Sequence, residues 1–526
     1  MRSPISSACS AARLASRPAA ATLGVLGLTA GLLTGCASRS TDTGASMDTL
    51  NVGVNGTPPS LNPAKGINGA AQWFVDLAYA SLVETDANGD PVPGIASSWK
   101  VADGNKSITL KIASGLKFAD GTPITAQAIV NSVNYFSAHS TGPASGTFKT
   151  VSAAVSGTGQ VRISTTKANP NLVQILTPTY LGGHIMSAAG LAHPDKMSSA
   201  TFGAGPYVLD PTQTVAGDHY TYVANAGYGL GKAHFKKVVV KIGSSPASMV
   251  LAMKSGQIDV MMGDADTVAT AKAAGATVTS RPAAWNGIML TDRNGQVTPA
   301  LKNVRVRQAL NYAVDRAAIT KAAVGTYGKP TVQPNSEGNQ GYDPALDDMY
   351  TYDPAKARKL LAQAGYGKGF TMKVNYVSTV PVASKVVQAV VAQLAKVGVN
   401  VQLTPDPDAG TLIKDMYSKK FSGTVLVFTG NPEILNWNIL FIKNAPINPF
   451  QTEDPELDAA YDTLATAPPS KVEAAAKAAQ KLITEKAWAL PVVQSDNFIY
   501  ASPKLAGVTL VPQGISTNPR LWKPKS

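Results

Sequence analysis

Residues 108–126 read ITLKIASGLKFADGTPITA, and their local structure changes twice within that stretch. Ile108–Ile112 places β-favouring side chains at alternate positions, the signature of a half-buried strand. Asp120-Gly121-Thr122-Pro123 is a turn, because glycine accepts positive φ and proline fixes the exit. Thr125 then supplies an N-cap oxygen for a helix that begins at Ala126. The segment therefore reads strand, turn, capped helix.

The same alternation continues in both directions. Strands are predicted at Thr49–Val54, Val161–Thr165, Lys237–Ile242, Ile258–Met262, Thr371–Tyr376, Val399–Thr404, Thr424–Phe428 and Gly507–Val511. Helices are predicted at Ala355–Ala364, opened by Asp353-Pro354 and closed by Gly365, and at Val382–Val397, closed by Gly398. Ser470–Glu473 reads as a capping box opening a helix that runs to about Trp488 and stops at Pro491. Asn303–Ala323 reads as one amphipathic helix with Arg305, Arg307 and Arg316 on its outer face. Strands and helices mixed in this way imply α/β layers.

The 526 residues are 44% hydrophobic and 15% charged, which excludes a disordered or collagen-like chain. Lys and Arg are scattered rather than clustered, which argues against nucleic acid as a partner. Both cysteines, Cys9 and Cys36, lie near the start, so the body can form no internal disulfide and no thiolate metal site. Residues 1–35 carry Arg2, Arg13 and Arg17, no acid, and an apolar run from Ala19 to Leu33. They read as a signal peptide. The run ends Leu33-Thr34-Gly35-Cys36, a bacterial lipobox in which Cys36 takes the lipid. Removing the leader's three arginines leaves 43 basic against 33 acidic residues. Residues 36–47 are small and polar, suiting a flexible tether to the outer face of the cell membrane.

Catalytic templates fail. Ser114-Gly115-Leu116-Lys117, Ser132-Val133-Asn134 and Lys254-Ser255-Gly256 mimic the motifs of penicillin-recognising serine enzymes. Ser114, however, follows a strand and runs into a turn, where the nucleophile of that set must open a helix. The five histidines show no ligand spacing, so neither a metal nor a cofactor is expected. Gly227–Gly231 and Asp292-Arg293-Asn294-Gly295 read as turns, and Asp406 and Asp408 as loop acids facing water. A surface serine hydrolase remains the alternative from a different functional class.

Several segments recur in a fixed order: Leu61-Asn62-Pro63, Ala80–Glu84, Pro93–Trp99, Ile108–Ala126, Gly203-Ala204-Gly205-Pro206-Tyr207, Val304–Leu310 with Ala313–Arg316, and Tyr352-Asp353-Pro354 to Tyr366. Across about residues 49–511 the chain resembles the extracellular solute-binding proteins, family 5, of ABC importers for oligopeptides, dipeptides and nickel. The resemblance implies a two-lobed periplasmic-binding-protein-like α/β fold with mixed sheets, hinge-connected lobes and an inserted subdomain. By analogy, lobe one combines 48–90, 203–290 and 492–526, the insertion is 91–202, and lobe two is 291–491. The hinge would lie near Leu290-Thr291 and Leu490-Pro491. A peptide is the leading cargo, with a metal chelate, a sugar or an opine-like compound as alternatives. ABC transporter permease subunits are the implied partners, and the protein would act as a monomer.

The resemblance also implies where cargo sits. Trp285-Asn286 falls where the family places an aromatic and an amide at the cleft. Phe428-Thr429-Gly430-Asn431 and then Trp437 follow an apolar strand of the second lobe, and Trp73 is a further candidate from the first. Trp285 and Trp437 equally fit core residues with satisfied N–H groups. Where several peptide-binding relatives place an Asp that receives the ligand's α-ammonium, this chain has Asn431. Either the cargo lacks a free amino terminus, or Glu433, two residues on, takes that role.

Overall fold

Two long strands, Thr277–Leu290 and Ala489–Ala501, run antiparallel through the middle of an eleven-stranded mixed sheet. The computed structural model describes residues 47–66, 71–141, 145–511 and 518–525. The predicted signal peptide, Cys36 and most of the tether lie outside these described residues. On one flank Gly423–Thr429 pairs with the first long strand, followed by Phe370–Val377 and Val399–Asp406 in parallel. On the other flank Val260–Gly263 pairs with the second long strand, followed by Thr49–Asn55, Lys237–Gly243, His219–Ala224 and Tyr207–Leu209. Gly328–Pro330 adds to the edge of the second long strand. A separate four-stranded antiparallel sheet, in the order 96–102, 107–112, 160–165, 151–157, carries the helix Ala126–His139.

Both long strands escape a sequence reading because each contains a proline, which removes a ladder donor. The pairing absorbs them as bulges: register shifts fall between Pro282 and Ala284, and between Asn286 and Gly287 opposite Val493 and Pro491. At the second shift the strands come so close that a Cβ on Gly287 would lie 2.2 Å from the Leu490 carbonyl oxygen.

The 108–126 reading holds. Gly121 has φ +83°, Asp120 Oδ1 accepts the Thr122 N–H at 2.9 Å, and Thr125 Oγ1 accepts the Ala128 N–H at 3.2 Å. Gly205 also has its expected close approach, since its N–H donates to the Ala78 carbonyl at 2.8 Å and a Cβ would sit 2.4 Å from the Ala78 carbonyl carbon. The helix Pro354–Gln363 is capped by Asp353, which accepts the Lys356 N–H at 2.8 Å.

Five local expectations need correction. Residues 507–511 form no strand; Leu505–Ala506 pairs with Lys523–Pro524 instead. The Ser470 capping box does not form, because a 3-10 turn at Pro469–Lys471 takes its place and Glu473 accepts the Gly341 N–H. Asp406 is not a solvated loop acid. It ends the strand Val399–Asp406, is buried, and accepts Asn375 Nδ2 at 2.9 Å, and burial pushes its carboxyl up.

The predicted Asn303–Ala323 helix is two helices, Val304–Tyr312 and Arg316–Val324, the second capped by Asp315. Arg307 and Arg316 are buried rather than outward-facing. Arg307 gathers the carbonyls of Leu301, Lys302 and Lys486. Arg316 gathers those of Asn311, Thr331, Tyr350 and Pro491, together with Asn311 Oδ1 at 2.7 Å. A guanidinium carries five donors, so one side chain can close several chain ends at once. Replacing Arg316 strands four buried carbonyls and the Asn311 Oδ1, and Arg316→Met is expected to lower stability by about 3 kcal/mol in urea denaturation. A loss below about 1 kcal/mol would mean that those carbonyls find water.

Candidate functional site

Trp285 and Asn286 lie on the first long strand, and Phe428 and Gly430 on or just beyond the strand paired with it. Trp285 stands opposite Phe428 on one neighbouring strand and Gln494 on the other. Directly opposed residues of antiparallel strands share a face, so Phe428, Trp285 and Gln494 form one row. The Trp285 and Phe428 rings are 6.4 Å apart at 46°. Trp285 and Gln494 are buried, and their side-chain nitrogens meet no acceptor within the protein. Phe428 is half-buried.

Successive strand residues point to opposite faces. Asn286 therefore does not share the Trp285 surface. Its Nδ2 donates to Ser495 Oγ at 2.9 Å and to the Val493 carbonyl at 3.3 Å, which ties it to the second long strand. The pair read together in the sequence is split between the two sides of the sheet.

Past Phe428 the chain turns into the helix Glu433–Leu440. The Gly430 N–H donates to the Ala283 carbonyl at 3.0 Å. A side chain at this glycine would have to displace the Asn339 amide, which lies over it and would be 1.6 Å from a Cβ. Asn431 Nδ2 donates to the Thr429 carbonyl at 3.1 Å, and the Asn431 carbonyl accepts Asn436 Nδ2 at 3.2 Å. Asn339 and Gln494 were not anticipated. Gln494 lies beyond Pro491 in a stretch, Val492–Ala501, whose apolar and polar residues come in blocks rather than alternating, so nothing local marks it.

Glu433 is fully buried, and its carboxylate is occupied within the protein. Oε1 accepts the Trp437 indole N–H at 2.8 Å, and Oε2 accepts Asn335 Nδ2 at 3.1 Å and Asn436 Nδ2 at 3.4 Å. Burial pushes its pKa up to about 8; the hydrogen bonds from Trp437 and Asn436 oppose that shift, and the charge of Glu473 adds to it. Trp437 is a core residue with its N–H satisfied, edge-on to Phe441 at 5.8 Å and stacked near Tyr461 at 6.3 Å. Trp73 lies in the helix Gln72–Ala78 and packs against Trp522, with centroids 5.6 Å apart.

The grouping holds aromatic faces, amides and backbone polar groups. It has no nucleophile paired with a base. Ser114 lies in a turn, and the Ser132 hydroxyl accepts the Met186 N–H at 2.9 Å inside the helix Ala126–His139. Among the described residues, no three His, Cys, Asp or Glu side chains are placed to hold a metal ion. Such a site can hold a molecule by shape and hydrogen bonding.

Residues 90–436 match the model of the bacterial extracellular solute-binding proteins, family 5. The chain belongs to that family. It is accordingly a binding protein and not an enzyme. A probable D,D-dipeptide-binding periplasmic protein of Escherichia coli (strain K12) is 30% identical over 325 residues, covering 59% of this chain and 61% of that protein. A glutathione-binding protein of Shigella dysenteriae serotype 1 is 27% identical over 521 residues, covering 93% of this chain and 95% of that protein. A solved periplasmic binding protein of Agrobacterium tumefaciens R10, in complex with agropinic acid, superposes with a TM-score of 0.75 at 22% identity, over 91% of this chain and 99% of its own. The family-5 chain therefore has the two-lobed binding-protein fold.

The buried Glu433 has a measurable consequence. Its carboxyl titrates near 8 in the folded chain and near 4.5 when unfolded, so the folded state holds the proton more tightly. Stability is therefore expected to fall as pH rises from about 4.5 to about 8, and Glu433→Gln should flatten that decline. Urea midpoints at pH 5 and pH 9 check this; equal pH slopes in the two proteins would refute it.

Proposed function

We propose that this family-5 protein captures a small peptide between two lobes and delivers it to an ABC transporter permease from the outer face of the cell membrane. The observation that carries the peptide reading is the likeness to relatives named for a D,D-dipeptide and for glutathione, both short peptides. Among the described residues no helix is long and apolar enough to cross a membrane. We take the attachment to be the lipid on Cys36, with residues 1–35 removed and 36–47 as the tether.

In this reading lobe one comprises 48–90, 203–290 and 492–526, with 91–202 inserted, and lobe two comprises 291–491. The two flanks of the large sheet, joined by the two long strands, support that division. Cargo favours the closed arrangement because only there does it touch both lobes. Trp285, Phe428, Gly430 and Asn431 are the proposed contacts, with Gln494 added from the structure. Asn286, Glu433, Trp437 and Trp73 belong to the same proposal, but as supports. The Asn286 Nδ2 and the polar atoms of Glu433 and Trp437 are bonded within the protein, the Asn286 Oδ1 being buried without a partner, and Trp73 packs against Trp522.

An uncharged Asn431 and an enclosed Glu433 leave no free carboxylate among these residues to neutralise a desolvated ammonium. The favoured cargo therefore lacks a free amino terminus. Calorimetry with a peptide pool before and after N-acetylation tests this: affinity should rise, or at least fall by no more than about threefold, corresponding to roughly 0.6 kcal/mol. Loss of binding on acetylation would reject it. Agropinic acid in a protein of the same fold supports a second reading, an opine-like cargo. A thermal-shift screen separates the two, since a ligand at 100 times its Kd stabilises by about 2.7 kcal/mol. Peptides should raise the Tm; a rise with opines alone favours the second reading. Cys36→Ser should move the protein from the membrane fraction to the soluble fraction, and retention in the membrane would remove the lipid anchor from this account.

A further inference from the structure

The turn between the strands Ala96–Ala102 and Ser107–Ile112 holds Asp103, Gly104 and Asn105 in the left-handed region, with φ of 55°, 58° and 65°, before Lys106 leads into the second strand. Three such residues in a row hold a tight, outward-reaching tip, and Asn and Asp tolerate this conformation better than other side chains. The tip is also locked from behind. The Asp103 carboxylate accepts the Ser107 hydroxyl at 2.6 Å and pairs with Arg162, and the Asn105 carbonyl accepts the Asn169 N–H at 2.9 Å.

Asn105 is buried, although a hairpin tip ordinarily faces water. Its Nδ2 donates to the carbonyls of Ala465 and Ala467, at 3.1 and 2.8 Å. Those carbonyls close the helix Pro455–Thr466, some 360 residues away in sequence. Terminal carbonyls of a helix are usually met by N–H groups of the following residues. Here the next two residues are Pro468 and Pro469, which have no N–H. The Ala467 N–H still meets the Leu464 carbonyl, but the two prolines offer nothing to the Ala465 and Ala467 carbonyls, and the hairpin supplies donors for both from another part of the fold. Around this contact Phe148, Leu464, Ala465 and Ala467 belong to one buried apolar cluster, and the helices Ser145–Phe148 and Glu433–Leu440 touch.

We propose that Asn105 is a positioning residue that latches the inserted subdomain onto lobe two, holding the closed arrangement through its amide on the two carbonyls of the 455–466 helix end. This rests on the two-lobed reading above. When the lobes part, water replaces both bonds, so the latch has modest strength and stays reversible. Asn105 lies away from the crossing-strand grouping and acts on cargo affinity only through the balance between closed and open forms.

The test measures that balance directly. Nitroxide labels are placed at the exposed positions Ser152 and Ala478, through Ser152→Cys and Ala478→Cys in a full chain with Cys9→Ser and Cys36→Ser. Pulsed dipolar spectroscopy then gives the distance distribution with and without a peptide pool. Asn105→Gly keeps the left-handed turn and removes the amide; Asn105→Asp keeps the shape and sets a carboxylate against two carbonyl oxygens. Both are expected to lower the closed-to-open ratio about tenfold wherever the parent chain populates the closed form. Parent and variant distributions that coincide while the parent responds to peptide would overturn the latch and leave the moving lobes intact. A lowered Tm with unchanged distances would make Asn105 a structural cap and likewise overturn it. A single distance in the parent chain under every condition would overturn the moving lobes and the latch together.

Discussion

The antiparallel pairing of Thr277–Leu290 with Ala489–Ala501 is the constraint on which the rest of this molecule depends. It joins segments roughly 200 residues apart and carries one strand system on each flank. Neither strand is regular. Each contains a proline, and each pairing shift is a place where the ladder gives up a bond and the sheet bends. Irregular crossings fit a protein whose halves must share one hydrogen-bonded sheet without forming one rigid plate. The exit of the first strand is secured separately. Asp292 accepts the N–H groups of Gln296, Val297 and Thr298, while the Arg293 guanidinium lies 3.9 Å over Trp488 and donates to Asn448 at 2.7 Å.

Buried charge along the segment from Arg293 to Glu433 is handled by an uneven device. Arg293, Arg307 and Arg316 have no carboxylate in hydrogen-bond contact; they collect carbonyl and amide oxygens. Burial costs each guanidinium its hydration and lowers its pKa, but several charge-assisted bonds offset that cost and tie loops and helix ends to the sheet. Glu433 is the inverse case, a lone acid among amide and indole donors. These groups stiffen the frame around the two long strands, so the grouping beside them is presented on a fixed support.

The character of that grouping follows from the same economy of charge. Aromatic rings and amides provide contact area and hydrogen bonds, while every nearby carboxylate oxygen of Glu433 is already engaged. On the proposed peptide reading, recognition through neutral groups would tolerate varied side chains, because hydrogen bonds to a peptide backbone do not depend on what the backbone carries. It also leaves the bound molecule chemically unchanged, as a carrier requires.

Local structure was legible from the residues: the strand and turn of 108–126, the Asp353 cap and the close approach at Gly205 depend on neighbours within a few positions, where φ/ψ limits and capping decide. The ordered segments identified the family. What lay beyond reach were properties set by distant chain. Pro282 and Pro491 argue locally against strands, and only the opposite strand shows that a bulge absorbs each. Arg307 and Arg316 look solvated until the carbonyls they serve come into view, and Glu433 looks available until Asn335 and Trp437 close over it. Gln494 and Asn105 carry no local signal at all. Backbone sterics act over a few residues and are written in the sequence, whereas burial and hydrogen-bond partnership depend on which surfaces meet, and the tertiary structure alone decided that.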